Sequence, residues 1–140
     1  MKFEFSAGGI VYRKEGEQTL VLVSQHSQHH GWVFPKGLIG DKEENKNQTK
    51  EETALREVKE ETGAIGEIEK EITPVSYWYM WEGEKRKKTV YYFLMKFIGG
   101  DITQHDKEME DVQWISYNDV SNRLAYKSDK DVWEEAKRFI

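Results

Sequence analysis

The chain contains no cysteine, which excludes disulfide staples, thiolate nucleophiles and any zinc site built on sulfur. Long apolar runs are missing too. The longest, Val90 to Met95, falls far short of the roughly 20 residues that a membrane-spanning helix needs, so no membrane association is expected. The N-terminus reaches Phe3, Phe5 and Gly8-Gly9 without a basic start and an apolar stretch, so the expectation is a soluble, cytoplasmic protein. There is no basic surplus either: the formal net charge of −5 argues against broad attraction to anionic membranes and against stable nucleic-acid binding. Hydrophobic residues make up only 37% of the chain while aromatics reach 13%, which predicts a core of Trp, Tyr and Phe packed between strands. A length of 140 residues fits one domain over 1–140 with one site.

Residues 2–13 and 19–25 are rich in strand formers around Glu15-Gly16-Glu17 and predict two paired strands. Trp32-Val33-Phe34 then leads into a turn at Pro35-Lys36-Gly37. Asp41 to Gln48 has no apolar residue and predicts an exposed loop. Thr49 with Glu52 three residues on has the form of a capping box, and Gly63 suits a helix C-terminus, so a helix is expected from Lys50 to Thr62. Residues 67–81 and 88–98 predict a long hairpin around Glu82 to Lys87. A short strand at Val112 to Ile115 and two helical stretches after Asn118 follow, the second presenting Val132, Ala136 and Phe139-Ile140. Together these predict an α/β fold, a mixed sheet sandwiched between helices.

The segment Arg56-Glu57-Val58-Lys59-Glu60-Glu61-Thr62-Gly63 carries the most chemistry. At about 100° per helical residue, Glu57, Glu60 and Glu61 share an arc of about 100°, and Ala54, Leu55, Val58 and Thr62 occupy the neighbouring arc for burial. Acidic runs on helices are usually solvated faces paired with lysine. Here the strand, the Pro-Lys-Gly turn, the capped helix and the closing glycine occur together in order, and three crowded carboxylates repel unless a cation neutralises them. A hard divalent cation does so while keeping waters to share with phosphate, and it would also offset the negative net charge against a polyphosphate.

These residues resemble the Nudix box: Gly, five residues, Glu, seven residues, Arg-Glu, apolar, any, Glu-Glu, any, Gly, apolar. Arg56 to Ala64 fits the second half completely. Gly37 opens the pattern and Glu43 stands five residues beyond it, but twelve residues rather than seven separate Glu43 from Arg56. Counting back from Arg56 instead puts Gln48 at the first acidic position, and both assignments stay open. The resemblance implies that Glu57, Glu60 and Glu61 carry magnesium or manganese, that the Gly37 carbonyl completes the site, that Arg56 ties helix to loop and that Lys36 contacts phosphate. The lengthened loop at 41–48 could gate the site.

Within that family, Ser6-Ala7-Gly8-Gly9, Trp32 before Phe34-Pro35-Lys36-Gly37, Lys88-Thr89-Val90 and Glu108 six residues before Trp114 resemble the diadenosine polyphosphate hydrolases. By that resemblance Glu108 acts as base or extra ligand, with Glu110 as its substitute, and Lys88 binds substrate phosphate. Tyr77, Tyr79 and Trp81 share one strand face and Trp78 takes the other, with Tyr79 the expected base contact. Lys85 and Arg86 read as solubilising residues of a hairpin tip. His26, His29 and His30 read as a surface loop without metal spacing, His30 being a lesser phosphate candidate. The implied activity is a magnesium-dependent pyrophosphohydrolase acting on a nucleotide, preferentially a diadenosine polyphosphate such as the tetraphosphate. Alternatives are a nucleoside triphosphate pyrophosphatase, an RNA 5′-pyrophosphohydrolase, a non-catalytic nucleotide-binding module and a structural metal site.

Overall fold

The computed structural model describes residues 1–140. An eight-stranded mixed sheet organises them. Strand β1 (Lys2–Glu15) runs antiparallel to β2 (Gln18–His26) at its end and parallel to β7 (Glu84–Gly100) along most of its length. Further strands are β3 (Trp32–Val33) and β8 (Met109–Ser116) against β2, β4 (Lys36–Leu38) against β1, and β5 (Ala64–Glu71) and β6 (Val75–Trp81) against β7. The expected turn at Lys36-Gly37 is therefore a short strand, with Gly37 opposite Ala7.

The expected long hairpin is also different in detail. Residues 67–81 divide at Pro74 into β5 and β6, which pair with successive stretches of β7. The tip is only Glu82-Gly83, both with positive φ (49° and 76°), a two-residue turn whose twist suits a hairpin. Lys85, Arg86 and Lys87 consequently belong to a strand and not to a loop.

Helix α1 (Lys50–Thr62) begins with the reciprocal Thr49–Glu52 capping box and ends at Gly63 in the left-handed conformation. Its Ala54 and Val58 pack with Ala7, Val11, Phe93 and Met95 on one side of the sheet, while Leu55 stays exposed. The other side is covered by α2 (Val120–Arg123) and α3 (Lys127–Ala136), whose Val132, Trp133 and Ala136 meet Ile10, Phe34, Tyr92 and Leu94. Phe139 lies outside that core, 49% exposed, whereas Trp133 is buried in it and Ile140 packs against it. The architecture is the expected helix–sheet–helix layering. No helix is long and apolar enough to cross a membrane.

Candidate active site

Helix α1 crosses β4 so that its acidic face meets the Lys36-Gly37 backbone. The Lys36 N–H donates to Glu61 Oε2 at 3.1 Å. Gly37 has no side chain for a reason: a Cβ there would stand 2.0 Å from the Glu57 carboxyl carbon. Glu61 is 4% exposed, and burial, helped by Glu57 and Asp106, raises its carboxyl well above the ordinary range against the pull of Lys36. Burial also raises Glu57, with Glu60 and Asp41 adding to it while Arg56 opposes.

Arg56 is the cation within this cluster. Its Nη1 donates to Glu57 at 3.0 Å and to Glu60 at 3.2 Å, and its Nε donates to Gln48 at 2.9 Å. Gln48 thus takes the position facing Arg56, whereas Glu43 sits in a one-turn 3-10 helix, pairs with Lys46 and is 83% exposed. The Arg56 Nη2 is buried without a partner. Glu57, Glu60 and Glu61 share one helix face, yet no three acidic groups close around a common point while Arg56 holds Glu60. All the donors are hard oxygens, two of the carboxylates are costly to keep charged, and Arg56 and Lys36 offset them only in part, so this set fits a divalent cation.

Beside the cluster opens a cavity of about 750 Å³ that Lys36, Glu61 and Glu108 reach at one end. Glu110 is turned away onto His30, 2.5 Å from its Nδ1. The loop carrying Glu108 is anchored twice, by Asp106 N–H to the Glu60 carbonyl and by Ser27 N–H to the Glu108 carbonyl. The cavity wall has Tyr77, Tyr92 and Tyr126, with buried Asp129 accepting from the Tyr92 hydroxyl at 3.1 Å. Burial pushes the Asp129 carboxyl up to about 6, against Lys36 and its hydrogen bonds from Tyr92 and the Phe34 backbone. His26 and His29 also reach this cavity, their rings stacked 4.3 Å apart.

Tyr79 lies in an adjoining, smaller recess of about 390 Å³ with Trp81, Lys88 and Tyr77, and Tyr77 walls both spaces. Lys88 is half-buried there, and burial together with Lys36 lowers its ammonium to about 8. Sequence reasoning thus missed Tyr77, Tyr126 and Asp129. The first was visible as a strand neighbour of Tyr79 on the same face; the other two had no local signal.

The family described as the NUDIX domain matches residues 2–137. The putative mutator protein MutT4 of Mycobacterium tuberculosis (strain CDC 1551 / Oshkosh) is 33% identical over 143 residues, covering 98% of this chain and 56% of that protein. An RNA pyrophosphohydrolase of Pseudoalteromonas translucida (strain TAC 125) is 25% identical over 148 residues, 91% of this chain and 79% of that protein. The chain therefore spans about half the length of MutT4 and about four fifths of the other. A crystal structure of a C. elegans Ap4A hydrolase binary complex superposes with a TM-score of 0.70 at 21% identity, over 97% of this chain and 96% of that one, a likeness of fold. With its box from Arg56 to Gly63 lying against the Lys36-Gly37 strand, this chain belongs to the Nudix family.

Proposed function

We propose that the protein is a metal-dependent pyrophosphohydrolase that cleaves a phosphoanhydride bond of a nucleoside diphosphate linked to another group, with diadenosine tetraphosphate as the preferred substrate. The observation that carries the reaction class is the placement of half-buried Glu57 and buried Glu61 against Lys36-Gly37, with Glu61 and Lys36 lining a nucleotide-sized cavity. Supporting a dinucleotide are two aromatic-walled spaces that meet at Tyr77, one for each base, with Lys36 and Lys88 available to the phosphates between them.

Glu57, Glu60 and Glu61 would hold magnesium or manganese together with the Gly37 carbonyl. The bound cation supplies charge neutralisation at the phosphoryl group and a water acidified toward neutral pH. The chain's own groups do the rest. Lys36 holds the phosphate that leaves, Glu108 accepts the proton of the attacking water from the cavity side, and Arg56 keeps α1 tied to its loop through Gln48. Tyr77 and Tyr126 flank one base, and Tyr79 contacts the other. No side chain forms a covalent intermediate in this scheme.

Turnover in oxygen-labelled water with magnesium tests the reading. Diadenosine tetraphosphate should yield ATP and AMP, with label in one product only. Turnover restricted to nucleoside triphosphates or to RNA 5′ ends would overturn the substrate, and tight nucleotide binding without any hydrolysis would overturn the enzyme.

A further inference from the structure

On the side of the sheet that carries α1, the strands run on past the helix and leave a bare face. Register fixes its composition. Trp78 of β6 lies opposite Lys87 of β7, and Lys87 lies beside Phe3 of β1, forming a row Trp78–Lys87–Phe3 across three strands. The neighbouring rows are Met80–Lys85 and Ser76–Thr89–Phe5. Side chains alternate along strands, so all of these stand on one face, and Glu4, Arg86 and Lys88 stand on the other. Phe3, Phe5, Trp78 and Met80 are 55%, 47%, 48% and 63% exposed.

This face is not an ordinary solvated surface. Four large apolar side chains in contiguous rows exceed what scattered surface residues explain. Between them stand Lys85 and Lys87, 4.6 Å and 5.6 Å from the Trp78 ring; Lys50, further along the face over Tyr91, is already paired with Glu71. Glu84, at the start of the same strand, is turned to Arg86.

We infer that this face binds single-stranded nucleic acid, with bases stacked on Trp78 and Phe3 and the intervening phosphate on Lys87. Strands in a sheet are about 4.8 Å apart, so the two rings stand about 10 Å apart with the ammonium between them, the span of two splayed bases and their linking phosphate. The negative net charge does not oppose this, because screening confines a phosphate to the charges within about 8 Å at physiological salt. A second copy of the chain would bring lysines against lysines across a twofold axis, which disfavours it as the occupant. The face lies across the sheet from the cavity that serves the proposed hydrolysis and is independent of that reading.

Fluorescence anisotropy of labelled ten-nucleotide oligo-U and oligo-dT, at about 50 and 200 mM salt, tests the inference. Both oligonucleotides should bind, with affinity falling as salt rises. Trp78→Ala and Phe3→Ala should each weaken binding about tenfold, and the charge-reversed Lys85→Glu/Lys87→Glu pair should abolish it. Circular dichroism and hydrolysis of a small nucleotide should be unchanged in all three, which separates a lost surface from a lost fold. Equal binding by wild type and variants would overturn the assignment. So would binding only to anionic lipid vesicles, or Trp78-dependent dimerisation in sedimentation without oligonucleotide binding.

Discussion

Lys36 stands between two buried carboxyl groups whose surroundings differ, Glu61 on α1 and Asp129 on α3. Glu61 accepts a backbone N–H and faces two further acids, so its neighbourhood has more negative charge than its own protein groups neutralise. Asp129 has a phenol and a backbone N–H for partners, with Lys36 opposing its burial and no further acid raising it, so a single proton relieves it. The contrast separates two jobs. In the proposed function the α1 end would gather a cation from solution, and the α3 end would offer one carboxyl that accepts when charged and donates when neutral.

Replacing Glu61 by Gln breaks the first half of that contrast and should have the largest effect. Turnover should drop by more than the 10–100-fold typical of groups that only support a metal ligand. Folding stability should hold or rise, because a neutral amide removes the cost of burying the charge. Magnesium should raise the Tm of the wild type in thermal melts and leave that of the variant unchanged. Turnover equal to wild type would remove Glu61 from the machinery.

Asp129→Asn tests the other half through stability. The folded-state carboxyl titrates at about 6, above its unfolded value of 3.8, so the native state binds the proton more tightly and is favoured at low pH. Stability from this group is fully present below about pH 4 and is lost as pH rises through 6, a change of about 3 kcal/mol. Urea unfolding from pH 4 to 7 should show that decline in the wild type and a flatter profile in Asp129→Asn. An unchanged profile would assign the slope to other groups.

Lys88 sharpens the comparison from the substrate side, since its ammonium is lowered to about 8 where Lys36 and Lys88 share one field. Its charge, present below that pH, fades above it, so KM for a polyphosphate should rise about tenfold per pH step beyond 8. Lys88→Arg keeps its charge and should flatten that limb. Identical profiles in both proteins would place Lys88 outside the phosphate path.

Why one half of the site was legible and the other was not follows from chain separation. Glu57, Glu60, Glu61 and the Thr49 and Gly63 caps lie within one helix, where periodicity places side chains directly. The cavity wall draws Tyr77, Tyr92, Tyr126 and Asp129 from separate elements, and only tertiary packing brings them together. Asp129 has no distinguishing neighbour in the sequence of α3. The tip is only Glu82-Gly83 because the lysine-rich stretch after it, though loop-like in composition, is the start of β7, paired with β6 from Glu84 and also with β1 from Arg86.

The lengthened loop presents the smallest effect and the finest test. Arg56 offers a fork of N–H donors, of which Nε meets the Gln48 oxygen while Nη2 is buried without a partner. An amide supplies one acceptor oxygen and a carboxylate supplies two, so Gln48→Glu matches the guanidinium edge and could satisfy both nitrogens in parallel. That substitution should stabilise the fold by about 1 kcal/mol, raising Tm by roughly 3 °C. It should also loosen the hold of Arg56 on Glu60, seen as tighter magnesium binding in titration calorimetry. Glu43→Ala should leave both quantities nearly unchanged, since its pairing with Lys46 is solvent-exposed. If Glu43→Ala instead shifts Tm more than Gln48→Glu does, the loop is tethered through Glu43 and the first acidic position of the box lies five residues earlier than the Arg56 contact indicates.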